Sequence, residues 1–174
     1  MDLREKIRVI EDFPKKGISF KDITTLFQDA EGFAEMSKQL IEVSKKYDFD
    51  LIAAPEARAF IIAAPIAYEL KKGIVLVRKP GKLPGNTIKQ EYALEYGTGE
   101  LYMHSDAIKP GQRVLIVDDL IATGGSAMAA AQLVEKLGGI VSGFVFVSEL
   151  TALGGRQVLK DYPVESLVEY DDVE

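Results

Sequence analysis

The sequence contains no cysteine, no tryptophan and a single histidine, His104. Without cysteine there can be no disulfide, thiolate zinc site, iron–sulfur cluster or cysteine nucleophile, and a reducing compartment such as the cytoplasm is expected. One histidine cannot build a two-histidine zinc site, and no G-x-S-x-G is present to support a Ser-His-Asp triad on it. A run of about 18 apolar residues is also missing, and the opening MDLREKIRVIEDF mixes charges, so neither a membrane span nor a secretion signal is expected. Basic excess is lacking too: 21 basic against 27 acidic side chains leave a net charge of −6, which argues against a general nucleic-acid binder. The excess is local, because residues 161–174 carry six acids and no base. Residues 1–160 are therefore neutral overall.

What is present is an alternation of apolar runs and helical patterns along 174 residues, a length suited to one domain. Leu3, Ile7 and Ile10 predict a first helix over 2–11, and Phe33, Met36, Leu40, Val43 and Tyr47 a second over 31–47. The runs LIAA (51–54), IVLV (74–77), RVLIVD (113–118) and GFVFVS (143–148) are apolar without alternation, as strands covered on both faces should be. Helical stretches at 57–71 and 125–137 lie between them. This order predicts an α/β fold with a mainly parallel, twisted sheet flanked by helices, its ligands at the carboxyl ends of the strands. Residues 78–90, RKPGKLPGNTIKQ, read as a charged loop without structure of its own, and 92–96 with 100–104 as a hairpin about Gly97-Thr98-Gly99.

The strongest chemical signal is VLIVDDLIATGGS (114–126), an apolar strand with two acids at its end and a small-residue turn opening a helix. Amides at such a turn, Ala122 to Ser126, can cradle an anion at the positive end of the helix, with Thr123 and Ser126 adding hydroxyls and Gly124 and Gly125 permitting close approach. Asp118 and Asp119 cannot hold phosphate but can accept hydrogen bonds from sugar hydroxyls. A plain helix cap with surface acids, or a magnesium site, is the alternative; the Thr-Gly-Gly-Ser favours a reader of ribose 5-phosphate.

This segment resembles the phosphoribosyl diphosphate signature of the type I phosphoribosyltransferases. The remainder resembles the adenine phosphoribosyltransferase branch in DFPKKGISFKDIT (12–24), APEARAFIIAAPIAYEL (54–70), VRKPGKLPG (77–85), YALEYGTGEL (92–101), IKPGQRVLIVDDLIATGGS (108–126) and ELTALGGRQVL (149–159). The resemblance implies transfer of phosphoribose from phosphoribosyl diphosphate to adenine, giving AMP and diphosphate. It also implies Mg²⁺ held mainly by the substrate rather than by protein ligands, and a cytoplasmic homodimer touching neither nucleic acid nor membrane. The apolar N-terminal helix face and the basic loop are then the candidate contact regions.

The same resemblance assigns roles by position. Glu56, Ala57, Arg58, Arg78, Lys79 and Lys82 match the diphosphate-binding residues; a guanidinium can fork two phosphate oxygens, whereas a lysine acts as a point charge. Glu95 and Tyr96 match the catalytic loop, where a carboxyl group could share a proton with purine N7 and loop closure would exclude water. Phe20 would stack on adenine, with the backbones of Ser19 and Lys21 reading its amino group. Residues 1–30 would form a base-binding hood, and 78–104 a flexible catalytic loop and hairpin. Three departures stand out: Ala59 in place of a frequent glycine, which puts a methyl group near the diphosphate loop; Ser126 for threonine; and Lys21 for arginine. His104 reads as an ordinary strand residue. A phosphoribosyltransferase for another purine and a non-catalytic sensor of phosphoribosyl diphosphate remain the competing readings.

Overall fold

The computed structural model describes residues 1–94 and 96–171. Five parallel strands form the central sheet: β3 (Leu51–Pro55), β4 (Gly73–Val77), β7 (Arg113–Ile121), β8 (Ile140–Leu150) and β9 (Val164–Tyr170), in the order β4-β3-β7-β8-β9. Helices α2 (Ala30–Ser44) and α3 (Arg58–Leu70) cover one face, and α4 (Gly125–Lys136) covers the other. Short helices α1 (Thr24–Gln28) and α5 (Gly155–Val158) complete the layers. Adjacent residues of one strand serve different cores. Ile52 and Ala54 pack with Ile62 and Ile66 of α3, while Ala53 packs with Leu133 and Val134 of α4. That two-sided burial explains why these strands do not alternate in sequence.

Two antiparallel hairpins flank the sheet: β1 (Arg8–Glu11) with β2 (Ser19–Asp22), and β5 (Thr87–Ala93) with β6 (Thr98–His104). The first replaces the helix expected over 2–11. Only Leu3–Lys6 coils, as a 3-10 turn capped by the Asp2 side chain, and Val9 and Ile10 then pair with Lys21 and Phe20. A ten-residue helix is marginal by itself, so β-branched residues offered a pairing partner go to strand. Leu3 and Ile7 are buried within the chain, so the expected apolar helix face is not available as a contact surface. The stretch read as a structureless loop is also shorter than expected, since Thr87–Gln90 already belong to β5.

Two sheet strands depart from expectation. β4 lies at an edge and does alternate, with Ile74 and Leu76 exposed between buried Val75 and Val77. The acidic C-terminal stretch contains β9, the opposite edge, where charges such as Glu165 and Glu169 suit a strand with one open side.

Because every sheet strand is parallel, the carboxyl ends of β3, β7 and β8 share one border. From β3 the chain reaches β4 on one side, whereas β7, β8 and β9 follow on the other. The order therefore reverses between β3 and β7, which opens a crevice where their end loops part.

Candidate active site

At the end of β7 the chain turns through Ala122, Thr123 and Gly124 into α4. Gly124 is its N-cap at φ 89°, a left-handed conformation that a side chain would strain, and among the described residues no side chain caps the helix. The α4 amides at the cradle thus have no side-chain cap to compete with a ligand. Arg58, Asp118, Asp119, Ala122, Thr123, Gly124 and Ser126 line a pocket of ≈ 200 Å³ over this turn. Thr123 and Ser126 are exposed, Gly125 is half-buried and Gly124 is buried. The strand-to-helix turn expected from the sequence is therefore formed.

The acids of β7 differ sharply. Burial, followed by the neighbouring Asp119 charge, pushes the Asp118 carboxyl well above the ordinary carboxylate range, although Arg58 opposes this. Asp118 accepts a hydrogen bond from the Asp119 amide at 2.8 Å. Asp119 instead meets Arg58 in an ion pair through the guanidinium Nε. Burial would lower the Arg58 pKa, but the attraction of Asp119, with contributions from Asp118 and Asp22, raises it. Arg58 begins α3 and Asp119 ends β7, so their meeting bridges the two sides of the crevice.

The loop between β3 and α3 contains a cis Glu56–Ala57 peptide. The Glu56 carboxylate accepts hydrogen bonds from Arg78 Nε at 3.1 Å and the Lys79 amide at 2.6 Å. Burial raises the Glu56 pKa, but the Lys79 amide and the Arg78 guanidinium outweigh it and hold the carboxyl below its usual value. Arg78 is also locked to β6 by two backbone hydrogen bonds with Tyr102, at 2.9 and 2.7 Å. Lys79 and Lys82 are exposed; Lys82 lies in the turn before β5 and does not line the pocket over the cradle. The Ala59 methyl is buried against the α3 core rather than projecting at the diphosphate loop.

On the other side of Arg58, a small pocket is lined by Phe20, Lys21, Asp22, Arg58, Asp119, Leu120 and Ser148. Phe20 meets Phe13 edge-on at 5.1 Å. The Lys21 ammonium donates to Ser19 Oγ at 2.7 Å and lies over the Tyr170 ring. Asp22 accepts from Arg8 at 3.1 and 2.5 Å and from the Thr24 amide and hydroxyl at 3.0 and 2.6 Å. These bonds, the Thr24 hydroxyl first and Arg8 second, lower its pKa to about 2. The β5–β6 hairpin lies along α4: the Lys89 carbonyl accepts from Lys136, and Ala93 lies beside Gly125. The hairpin tip thus reaches the cradle. Tyr96 is exposed there, and Glu95 lies outside the described residues. His104, at the far end, shares a hydrogen bond with the Pro84 carbonyl and takes no place in the crevice.

Residues 20–165 match the phosphoribosyl transferase domain. Adenine phosphoribosyltransferase of Clostridium perfringens is 59% identical over 171 residues, covering 98% of this chain and 99% of its own length. The chain belongs to the adenine phosphoribosyltransferase family. Among solved adenine phosphoribosyltransferases, that of Thermoanaerobacter pseudethanolicus superposes with a TM-score of 0.93 at 54% identity, covering 97% of this chain and 98% of the other. The Saccharomyces cerevisiae adenine phosphoribosyltransferase, complexed with adenine and an imino-altritol bisphosphate, gives 0.88 at 38% identity, over 95% and 96% of the two chains.

Within this adenine phosphoribosyltransferase chain, two groups near the site were not singled out from sequence. Asp22 and Ser148 line the small pocket, and just outside it the buried Glu149 carboxylate pairs with the half-exposed Arg156 guanidinium. ELTALGGRQVL contains two of these four residues, Glu149 and Arg156, but nothing in its spacing announces that Arg156 turns back to Glu149.

Proposed function

We propose that this protein transfers the phosphoribosyl group from 5-phospho-α-D-ribose 1-diphosphate to adenine, forming AMP and diphosphate, as a pentosyl-transferring enzyme of purine salvage. The observation that carries the reading is the convergence of Arg58, Asp119 and the Ala122–Ser126 turn at the sheet's reversal point. The turn takes the 5-phosphate on its amides and hydroxyls. Asp118 and Asp119 take the ribose hydroxyls. Arg58, Arg78, Lys79 and Lys82, with Glu56 and Ala57 shaping their loop, face the diphosphate.

The ribose carbon becomes cation-like as the diphosphate departs, so charge on the leaving oxygens lowers the barrier. Arg58 supplies that charge after exchanging its carboxylate partner for phosphate oxygens. Phe20 stacks the base while the backbones of Ser19 and Lys21 read its amino group. Glu95 shares a proton with purine N7, and closure of the hairpin tip with Tyr96 limits hydrolysis.

Among the described residues no group of three or more carboxylates or histidines could hold a metal. Asp118 and Asp119 offer two carboxylates at most, which suits Mg²⁺ bound chiefly through substrate phosphates. There it would neutralise part of the diphosphate charge. The chain is read as one domain, with residues 1–30 as hood over the base. No helix among the described residues is long and apolar enough to cross a membrane, and with the acidic balance this supports a cytoplasmic enzyme that binds neither nucleic acid nor membrane. A homodimer is supported by Ile61, Tyr68, Ile74 and Leu76, all exposed. Ile74 and Leu76 are register partners of Ile52 and Ala54 and so share the α3 side of the sheet.

The test is incubation with Mg²⁺, phosphoribosyl diphosphate and each purine separately, following nucleotide formation. Diphosphate release with adenine alone is expected. Turnover only with guanine or hypoxanthine would reassign the substrate, and binding without product would make the protein a sensor.

A further inference from the structure

The wall behind the phosphate cradle is α5, and one of its side chains, Arg156, reaches two strands of the sheet. Glu149 is 3% exposed on β8, beside Ile121 in register and so one residue short of the cradle. Its carboxylate accepts from Arg156 Nε at 2.9 Å on both oxygens and from Ser166 Oγ of β9 at 2.7 Å. The same guanidinium donates to the Val164 carbonyl at 2.8 Å and to Ser166 Oγ at 3.3 Å. Arg156 therefore ties α5 to both β8 and β9. Immediately before it, Gly155 presses against the cradle: a Cβ at residue 155 would stand 2.6 Å from the Ala122 carbonyl oxygen and 2.6 Å from Ile121 Cγ1. From the opposite side, a Cβ at Gly124 would stand 3.1 Å from the Gly155 carbonyl oxygen and 3.1 Å from Val158. The cradle and α5 are thus in backbone contact, with no slack for either to shift alone.

We propose that Arg156 is a positioning residue for binding of the sugar phosphate, acting through α5 on the Ile121–Gly124 turn without touching substrate. This rests on the reading of that turn as the 5-phosphate site. An isolated buried ion pair is weak evidence of stabilisation in itself, because desolvation opposes the attraction. A pair whose carboxylate is buried while its guanidinium is half-exposed, with three further anchoring bonds beside a ligand loop, has instead the form of a geometric support. Lysine keeps the charge but, as a point donor, cannot hold Glu149, Val164 and Ser166 in one plane.

The experiment compares Arg156→Met, Arg156→Lys and Glu149→Gln with the parent enzyme in steady-state kinetics, at a temperature where circular dichroism shows each folded. Binding of ribose 5-phosphate is measured alongside by calorimetry. For Arg156→Met the KM for phosphoribosyl diphosphate should rise at least about tenfold, with the KM for adenine and kcat within about threefold. Ribose 5-phosphate binding should weaken in parallel, and Arg156→Lys and Glu149→Gln should fall between. A lowered melting temperature with both KM values unchanged, or an equal rise in both, overturns the proposal. If Arg156→Met does not fold, the comparison of Glu149→Gln and Arg156→Lys with the parent decides by the same criterion. A Thr123→Val, Ser126→Ala variant separates the two levels: should it leave the KM for phosphoribosyl diphosphate unchanged, the reading of the cradle fails. Should it raise that KM while the Arg156 and Glu149 variants do not, only the positioning role fails.

Discussion

Asp119→Asn separates a structural from a substrate-directed role for the acid at the crevice. Asp119 pairs with Arg58, whose side chain is 51% exposed. A pair wetted on one side contributes about 0.2–1 kcal/mol. Removing the charge also relieves the repulsion that helps push Asp118 upward, so the two effects oppose each other and net stability should change by less than about 1 kcal/mol. Substrate use should respond far more. A hydrogen bond to a carboxylate contributes about 1.5–3 kcal/mol and a neutral one about 0.5–1.5. Converting two sugar hydroxyl contacts from the first kind to the second loses about 2–3 kcal/mol, or roughly 30- to 150-fold in kcat/KM for phosphoribosyl diphosphate. The assay is diphosphate release against substrate concentration, paired with urea unfolding followed by circular dichroism. A variant that loses more than about 2 kcal/mol of stability, yet turns over normally per folded molecule, would refute the reasoning and mark Asp119 as a fold residue.

Asp22→Asn addresses the neighbouring acid through pH. Its folded pKa of about 2 lies below 3.8, so the carboxylate's contribution is complete above about pH 5, declines as pH falls through the unfolded value and is gone below about pH 2. That gap corresponds to about 2.4 kcal/mol, which water around the half-exposed Arg8 reduces to about 1–2 kcal/mol. Urea titrations at pH 7, 5, 4 and 3 should show the stability difference between parent and variant shrinking with acid, and a constant difference would count against it. Glu95→Gln should lower kcat more than it alters either KM, and unchanged turnover would remove its proton-sharing role. Leu76→Asp, on the exposed face of β4, should shift sedimentation equilibrium from dimer to monomer; a parent that already sediments as a monomer would sink the homodimer.

The sheet was legible because its strands are continuous apolar runs: LIAA, IVLV, RVLIVD and GFVFVS all fall within β3, β4, β7 and β8, of which only the edge strand β4 leaves one face exposed. The cradle was legible because its amides, glycines and hydroxyls are contiguous in sequence. The first hairpin was not, since Leu3, Ile7 and Ile10 satisfy a helical spacing and only a partner strand 8 to 14 residues away makes Arg8–Glu11 extended. β9 was obscured for a similar reason, its acids reading as a charged tail until β8 lies beside it.

Local chemistry determined the α/β class, the exclusion of thiol and two-histidine mechanisms and the glycine turn that opens α4, because each depends on composition or on residues close together in the chain. Contacts across the chain decided the rest. Arg58 and Asp119 are 61 residues apart, Glu56 and Arg78 are 22 apart, and Arg156 reaches back to Glu149 and forward to Ser166. Which cation faces which acid, and which glycine presses on which turn, follows from strand order. No local pattern encodes that order; only the folded sheet brings the partners together.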